Sequence, residues 1–131
     1  GEHPEADGAV ARVIFFLEPG CTLPASLRPN ILEGDRPLKI PETLLARRAV
    51  FDRVGLFDPL LPAAEDMDWF ARAIDAGVNF AVVDAVLLRK RIHDRNTSVL
   101  NAENTQCLLD LLRRSALRKR RTESADESRS A

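Results

Sequence analysis

Three absences bound what this chain can be. First, it has no excess of charge. Nineteen basic residues face twenty acidic ones, a formal net charge of -1, so no overall field draws the protein to nucleic acid or to anionic lipid. Second, it has no long apolar run: the longest, Val13 to Leu17, is far short of the roughly 20 residues a membrane helix requires. The acidic N-terminus also lacks the basic-then-apolar layout of a signal peptide, and the chain reads as soluble and cytoplasmic, without a transmembrane segment. Third, cysteine is scarce. Cys21 and Cys107 stand alone, with no CxxC spacing and no clustered histidines, which argues against both a zinc site and a disulfide scaffold. No internal repeat stands out.

What is present is the composition of one ordinary domain: 131 residues, 45% apolar and 30% charged. Residues 1–11 are polar and are expected to be flexible, 12–121 to form the domain, and 122–131 to form a disordered polar tail. Arg12 to Leu17 is β-branched and aromatic and closes on Glu18-Pro19-Gly20, the pattern of a strand and turn. Five prolines between Pro19 and Pro41 make the next stretch mostly loop, with a helical turn near Ala25 to Leu32. A loop of that length is usually functional or mobile.

From Glu42 onward the pattern sharpens. Glu42 to Ala46 reads as a strand and Arg47 to Val54 as a helix stopped by Gly55. A second helix begins near Glu65-Asp66 and ends at Gly77, with Met67, Phe70 and Ile74, joined by Ala71 and Ala73, as its apolar stripe. Asn79 to Val83 and Val86 to Arg91 read as two strands joined at Asp84-Ala85. Asn101 to Arg121 reads as an amphipathic helix ending in a basic cluster, Arg118 to Arg121. The expected fold is α/β, or α+β, with a small mixed sheet of about four strands packed by three helices.

Three motifs recur in fixed order: Leu44-Leu45-Ala46-Arg47-Arg48 with Phe51, Val54-Gly55 and Phe57-Asp58; Glu65-Asp66-x-Asp68-Trp69-x-x-Arg72 with Gly77; and Arg91-x-His93-x-x-Asn96-x-Ser98. Together they resemble the second, acceptor-side half of bacterial family 2 glycosyltransferases, over roughly Thr43 to Ser98. The resemblance implies a partial GT-A-type fold and inverting transfer of a sugar from a nucleotide diphosphate donor to an acceptor hydroxyl. It also implies a divalent metal, Mn or Mg.

Inverting transfer needs a carboxylate that takes the acceptor hydroxyl's proton as its oxygen attacks the anomeric carbon, and a well-placed base contributes about 10²–10⁴-fold. The resemblance gives that role to Asp66 and acceptor binding to Glu65, Asp68 and Trp69. It gives donor diphosphate contacts to Arg47, Arg48, Arg72, Arg91 and His93, and makes His93 a candidate metal ligand. Plainer roles stay open beside these. Carboxylates at a helix N-terminus cap it, Arg72 is placed to pair with the acidic helix start, Trp69 suits a core, and His93 suits a surface.

The sequence also departs from the family. It shows neither the nucleotide-binding half nor an Asp-x-Asp at a strand end, since Asp66-Met67-Asp68 belongs to the base motif. Transfer is therefore expected to need a donor-binding half. The alternatives are a non-catalytic glycosyltransferase-derived module that binds a sugar or a protein, and an interaction domain using the basic run Arg113 to Arg121. A sheet severed from its neighbours leaves an open edge, so a homo-oligomer or a partner chain is expected.

Overall fold

The computed structural model describes residues 3–61, 63–96 and 102–130, without the side chains of 102–106. Pro62, Ser98 of the third motif, Asn101 as a helix start and Ala131 lie outside that range. Among the described residues the protein is mixed α and β, with four strands and three α-helices, in two compact units, Gly1–Arg47 with Asn79–Ala102 and Arg48–Val78 with Glu103–Ala131. No described helix is long and apolar enough to cross a membrane.

The first unit is built on β1, Gly8–Leu17. It carries the apolar run Val13 to Leu17 and has strands along both of its edges. Along one edge lie β2, Asp35–Pro37, and β3, Leu45–Ala46, end to end and antiparallel to it. Along the other runs β4, Phe80–Ile92, in parallel. Val10, Ala11 and Val13 of β1 and Ile92 of β4 are buried. Gly8 is required where β1 starts: a Cβ there would stand 2.8 Å from the Leu45 carbonyl oxygen.

Two expectations change here. The two strands expected over residues 79–91, joined at Asp84-Ala85, are one strand that runs through that dipeptide. The β1–β4 register steps from Ala11↔Val83 to Arg12↔Val86 and then to Val13↔Leu88, so Asp84, Ala85 and Leu87 are surplus residues bulged out of the ladder. The strand expected from Glu42 is a 3-10 turn, Pro41–Thr43, followed by the two residues of β3. Proline at the first position pre-sets that turn.

The long loop is tied down rather than slack. Arg36 donates through Nη2 to the carbonyls of Asn30, Ile31 and Glu33, closing the 3-10 turn Pro29–Leu32. Thr43 Oγ1 donates to the Leu38 carbonyl at 3.0 Å.

The second unit contains α1, Arg48–Val54, α2, Glu65–Asp75, and α3, Ala102–Ser130. Gly55 at φ 86° and Gly77 at φ 74° stop α1 and α2, as a left-handed residue after a helix commonly does. Trp69, Phe70, Ala73, Val50, Val78 and Leu111 are buried. The buried face of α2 is thus rotated from the expected stripe: Met67 and Ile74 are about half exposed, 47% and 49%, while Trp69 and Asp68 are inside. The helix of α3 continues through residues 122–130, where a disordered tail was expected; the Ser124 and Ser128 hydroxyls donate to the carbonyls four residues back, of Arg120 and Ser124, and so are taken up by the helix itself. Asp75 holds α3 to α2, accepting from Ser115 Oγ at 2.9 Å and Arg118 Nε at 2.8 Å.

Candidate functional site

The acidic start of α2 divides its carboxylates between two tasks. Ala64, just before the helix, is left-handed at φ 60° and has no capping side chain; such a conformation costs a non-glycine residue about 1–2 kcal/mol. The first turn carries Glu65, Asp66 and Asp68, three charges that favour the positive end of the helix. Asp66 Oδ1 accepts the Met67 backbone N–H at 2.7 Å, which serves one of the orphan donors of the turn. Glu65 is exposed and Asp66 half-buried, so both carboxylates are open to solvent.

Asp68 faces the other way. It is 3% exposed, and its Oδ2 accepts from Arg72 Nε at 2.7 Å. The Arg72 guanidinium then spans the end of α1, with Nη1 on the Val54 carbonyl at 2.6 Å and Nη2 on the Leu56 carbonyl at 2.8 Å. Trp69 Nε1 takes the carbonyl between them, Gly55, at 2.8 Å. Three donors from one face of α2 therefore satisfy three successive carbonyls left bare where α1 ends. This is a structural reason for the Asp-Trp-x-x-Arg spacing beside Val54-Gly55. The Trp69 ring is fully buried among Phe51, Phe57 and Phe70, with centroids 5.0, 5.3 and 5.3 Å away, and shows no face to a sugar.

The remaining candidates fall elsewhere. Arg48 opens α1 and is exposed. Arg47 donates from Nε to the Ala6 carbonyl at 3.0 Å and from Nη2 to that of Pro4 at 3.2 Å, anchoring the chain beside the start of β1. Arg91 and His93 lie at the opposite end of the same sheet. Ten residues of strand separate the two places by about 30 Å, so Arg47 does not join them in one anion site.

At that far end the parallel strands β1 and β4 finish together. The Glu18 N–H donates to the Ile92 carbonyl at 2.9 Å, and Glu18 Oε1 accepts from Arg91 Nη1 at 2.9 Å. Asn96 closes the turn after β4: its Oδ1 accepts the His93 N–H at 2.9 Å and its Nδ2 donates to the Arg91 carbonyl at 3.1 Å. The Arg-x-His-x-x-Asn spacing is thus the spacing of a capped turn. Glu18, which follows β1 and pairs with Arg91, is a residue that sequence reasoning did not single out. Its signal was an acid directly after an apolar strand and before Pro19-Gly20.

A divalent cation does not fit the residues described. Among them no three His, Cys, Asp or Glu side chains converge. His93 Nδ1 accepts the Arg95 N–H at 3.1 Å, which places the ring proton on Nε2 and makes that nitrogen a donor, suited to an anion and not to a metal.

No protein family model matches the chain, and neither a curated protein nor a solved structure is similar to it.

Proposed function

We propose that the chain is the acceptor-side part of an inverting, GT-A-type glycosyltransferase domain, one that acts only when a nucleotide-binding half is supplied. The observation that carries the reading is the division of labour in the first turn of α2. Asp68 is buried and spent on Arg72, while Asp66, two residues earlier, keeps a solvent-facing carboxylate. In this reading Asp66 removes the proton of the acceptor hydroxyl as its oxygen bonds to the anomeric carbon, and the nucleoside diphosphate leaves from the opposite face. Glu65 binds acceptor hydroxyls beside it. Arg91 and the Nε2–H of His93, at the strand ends of the sheet unit, offer donors that suit a phosphate group. No step is assigned to a metal.

The test is calorimetry of the purified chain with uridine and guanosine diphosphates, with and without manganese, and with a panel of short saccharides. The reading expects weak saccharide binding abolished in Asp66→Asn, and weak nucleotide binding reduced in His93→Ala. Folded protein that binds neither class of compound would sink it.

A second reading is a non-catalytic module derived from the same domain. It is favoured by one observation: Asp68, Trp69 and Arg72 are all committed to holding the end of α1. Saccharide binding that Asp66→Asn leaves unchanged would select it.

A further inference from the structure

The helix α3 is held to its unit along one narrow line. Leu111 is buried and Cys107, Ser115 and Arg118 are half-buried, at spacings that keep all of them on one side of a helix. Ser115 and Arg118 are spent on Asp75 of α2. Half a turn away the helix faces solvent, and from Leu108 to Arg121 that outer surface is made of two kinds of side chain. Leu108, Leu109, Leu112 and Leu117 are 38–60% exposed. Interleaved with them, Arg113, Arg114, Lys119, Arg120 and Arg121 are exposed as well. The one acid in the segment is Asp110, paired with Arg113 at 3.1 Å. Single exposed leucines are ordinary, but four of them among cations, within about three turns of one helix, form a surface that asks for a partner.

We infer that this face of α3 lies on the surface of an anionic lipid bilayer. The leucines enter the boundary between headgroups and acyl chains, and the arginines and Lys119 meet the lipid phosphates. The near-zero net charge of the whole chain does not oppose this: at physiological salt a charged surface is sensed over about 8 Å, so the local excess of cations decides. Glu123, Asp126 and Glu127 follow directly and bound the contact at Arg121.

Two other occupants fit less well. A nucleic acid would use the arginines and leave the four leucines in water. A protein that grips a helix in a groove needs more than one side of it, and α3 keeps one side on α2. A flat surface needs only the side that is open. The inference is independent of the proposed transfer reaction, since it uses no residue of that site.

The measurement is co-sedimentation of the full chain with vesicles of phosphatidylcholine alone, and of phosphatidylcholine and phosphatidylglycerol in equal parts, at low and high salt. Binding is expected to the anionic vesicles and to fall as salt rises. Arg120→Gln with Arg121→Gln should weaken it about thirtyfold, whereas Arg120→Lys with Arg121→Lys should leave it within about twofold. Leu112→Ser with Leu117→Ser should weaken it by about tenfold or more. All of these positions are exposed, and circular dichroism and urea unfolding check that each variant keeps its fold. Absence of binding to the anionic vesicles overturns the proposal, as does equal binding to both kinds of vesicle or binding indifferent to the leucine pair. Capture by duplex DNA, with none by vesicles, would assign the arginines to nucleic acid and overturn it too.

Discussion

The sheet unit and the helical unit solve the same problem, satisfying backbone polar groups, by different means. In the sheet, β1 gives both edges of its backbone to neighbouring strands, and the side-chain pairs around it, Arg91 with Glu18 and Lys90 with Glu42, are exposed extras. In the helical unit the backbone at the end of α1 has no ladder to join, and side chains take over through Arg72 and Trp69. Side chains that replace a ladder must be held in place themselves, hence the buried Asp68 and the enclosing aromatic rings. Sequence change should therefore act through single residues in the helical unit and through the backbone in the sheet.

The sharpest way to break the contrast is Trp69→Ala. It empties the centre of the aromatic cluster and frees the Gly55 carbonyl, and should cost about 3–5 kcal/mol, read by urea unfolding, with amide protection lost first in α1 and α2. Next comes Arg72→Met, which leaves Asp68 buried and unpaired. Because Arg72 is itself partly exposed, the expected loss is about 2–3 kcal/mol, below the full figure for a broken buried pair. In the sheet, Gly8→Ala forces the Leu45 carbonyl to move and should cost about 1–2 kcal/mol, with amide exchange quickened at β3.

The smallest effect is at Glu42. Its hydrogen bond from Lys90 holds the carboxyl below the ordinary glutamate range, against an opposing push from partial burial. A carboxyl whose folded pKa is lowered adds stability that is present above its unfolded pKa and lost as pH falls through the folded one. The pair is half exposed and screened, so Glu42→Gln should lower stability by a few tenths of a kcal/mol at neutral pH. Thermal melts of the two proteins should converge in acid, below the lowered value.

The helical unit was more legible in the sequence than the sheet. Gly55, Gly77 and the acidic start of α2 mark helix ends by local chemistry, and local chemistry can be read along a chain. The rotation of α2 could not be read, because Met67 and Ile74 are as apolar as Phe70 and Ala73; only the demand of the α1 carbonyls for Arg72 and Trp69 decides which face turns inward. In the sheet, β2 and β3 are too short to leave a period. The unity of β4 depends on β1, some seventy residues earlier, keeping step on both sides of Asp84-Ala85. The pairing of Glu18 with Arg91 is equally non-local: Arg91 and His93 were marked by their spacing, whereas Glu18 showed only as an acid after an apolar run, without its partner.

The surplus in β4 has a consequence for how such a chain can change over generations. β1 uses ten residues where β4 uses thirteen, yet Gly8 stays level with Phe80 and Leu17 with Ile92. Length is stored in the middle while both ends keep their station. A residue gained or lost between Val83 and Leu88 is absorbed there, without sliding His93 away from Glu18 or Phe80 away from Gly8. Insertions and deletions in this strand are therefore expected to collect between those two positions and to spare its ends.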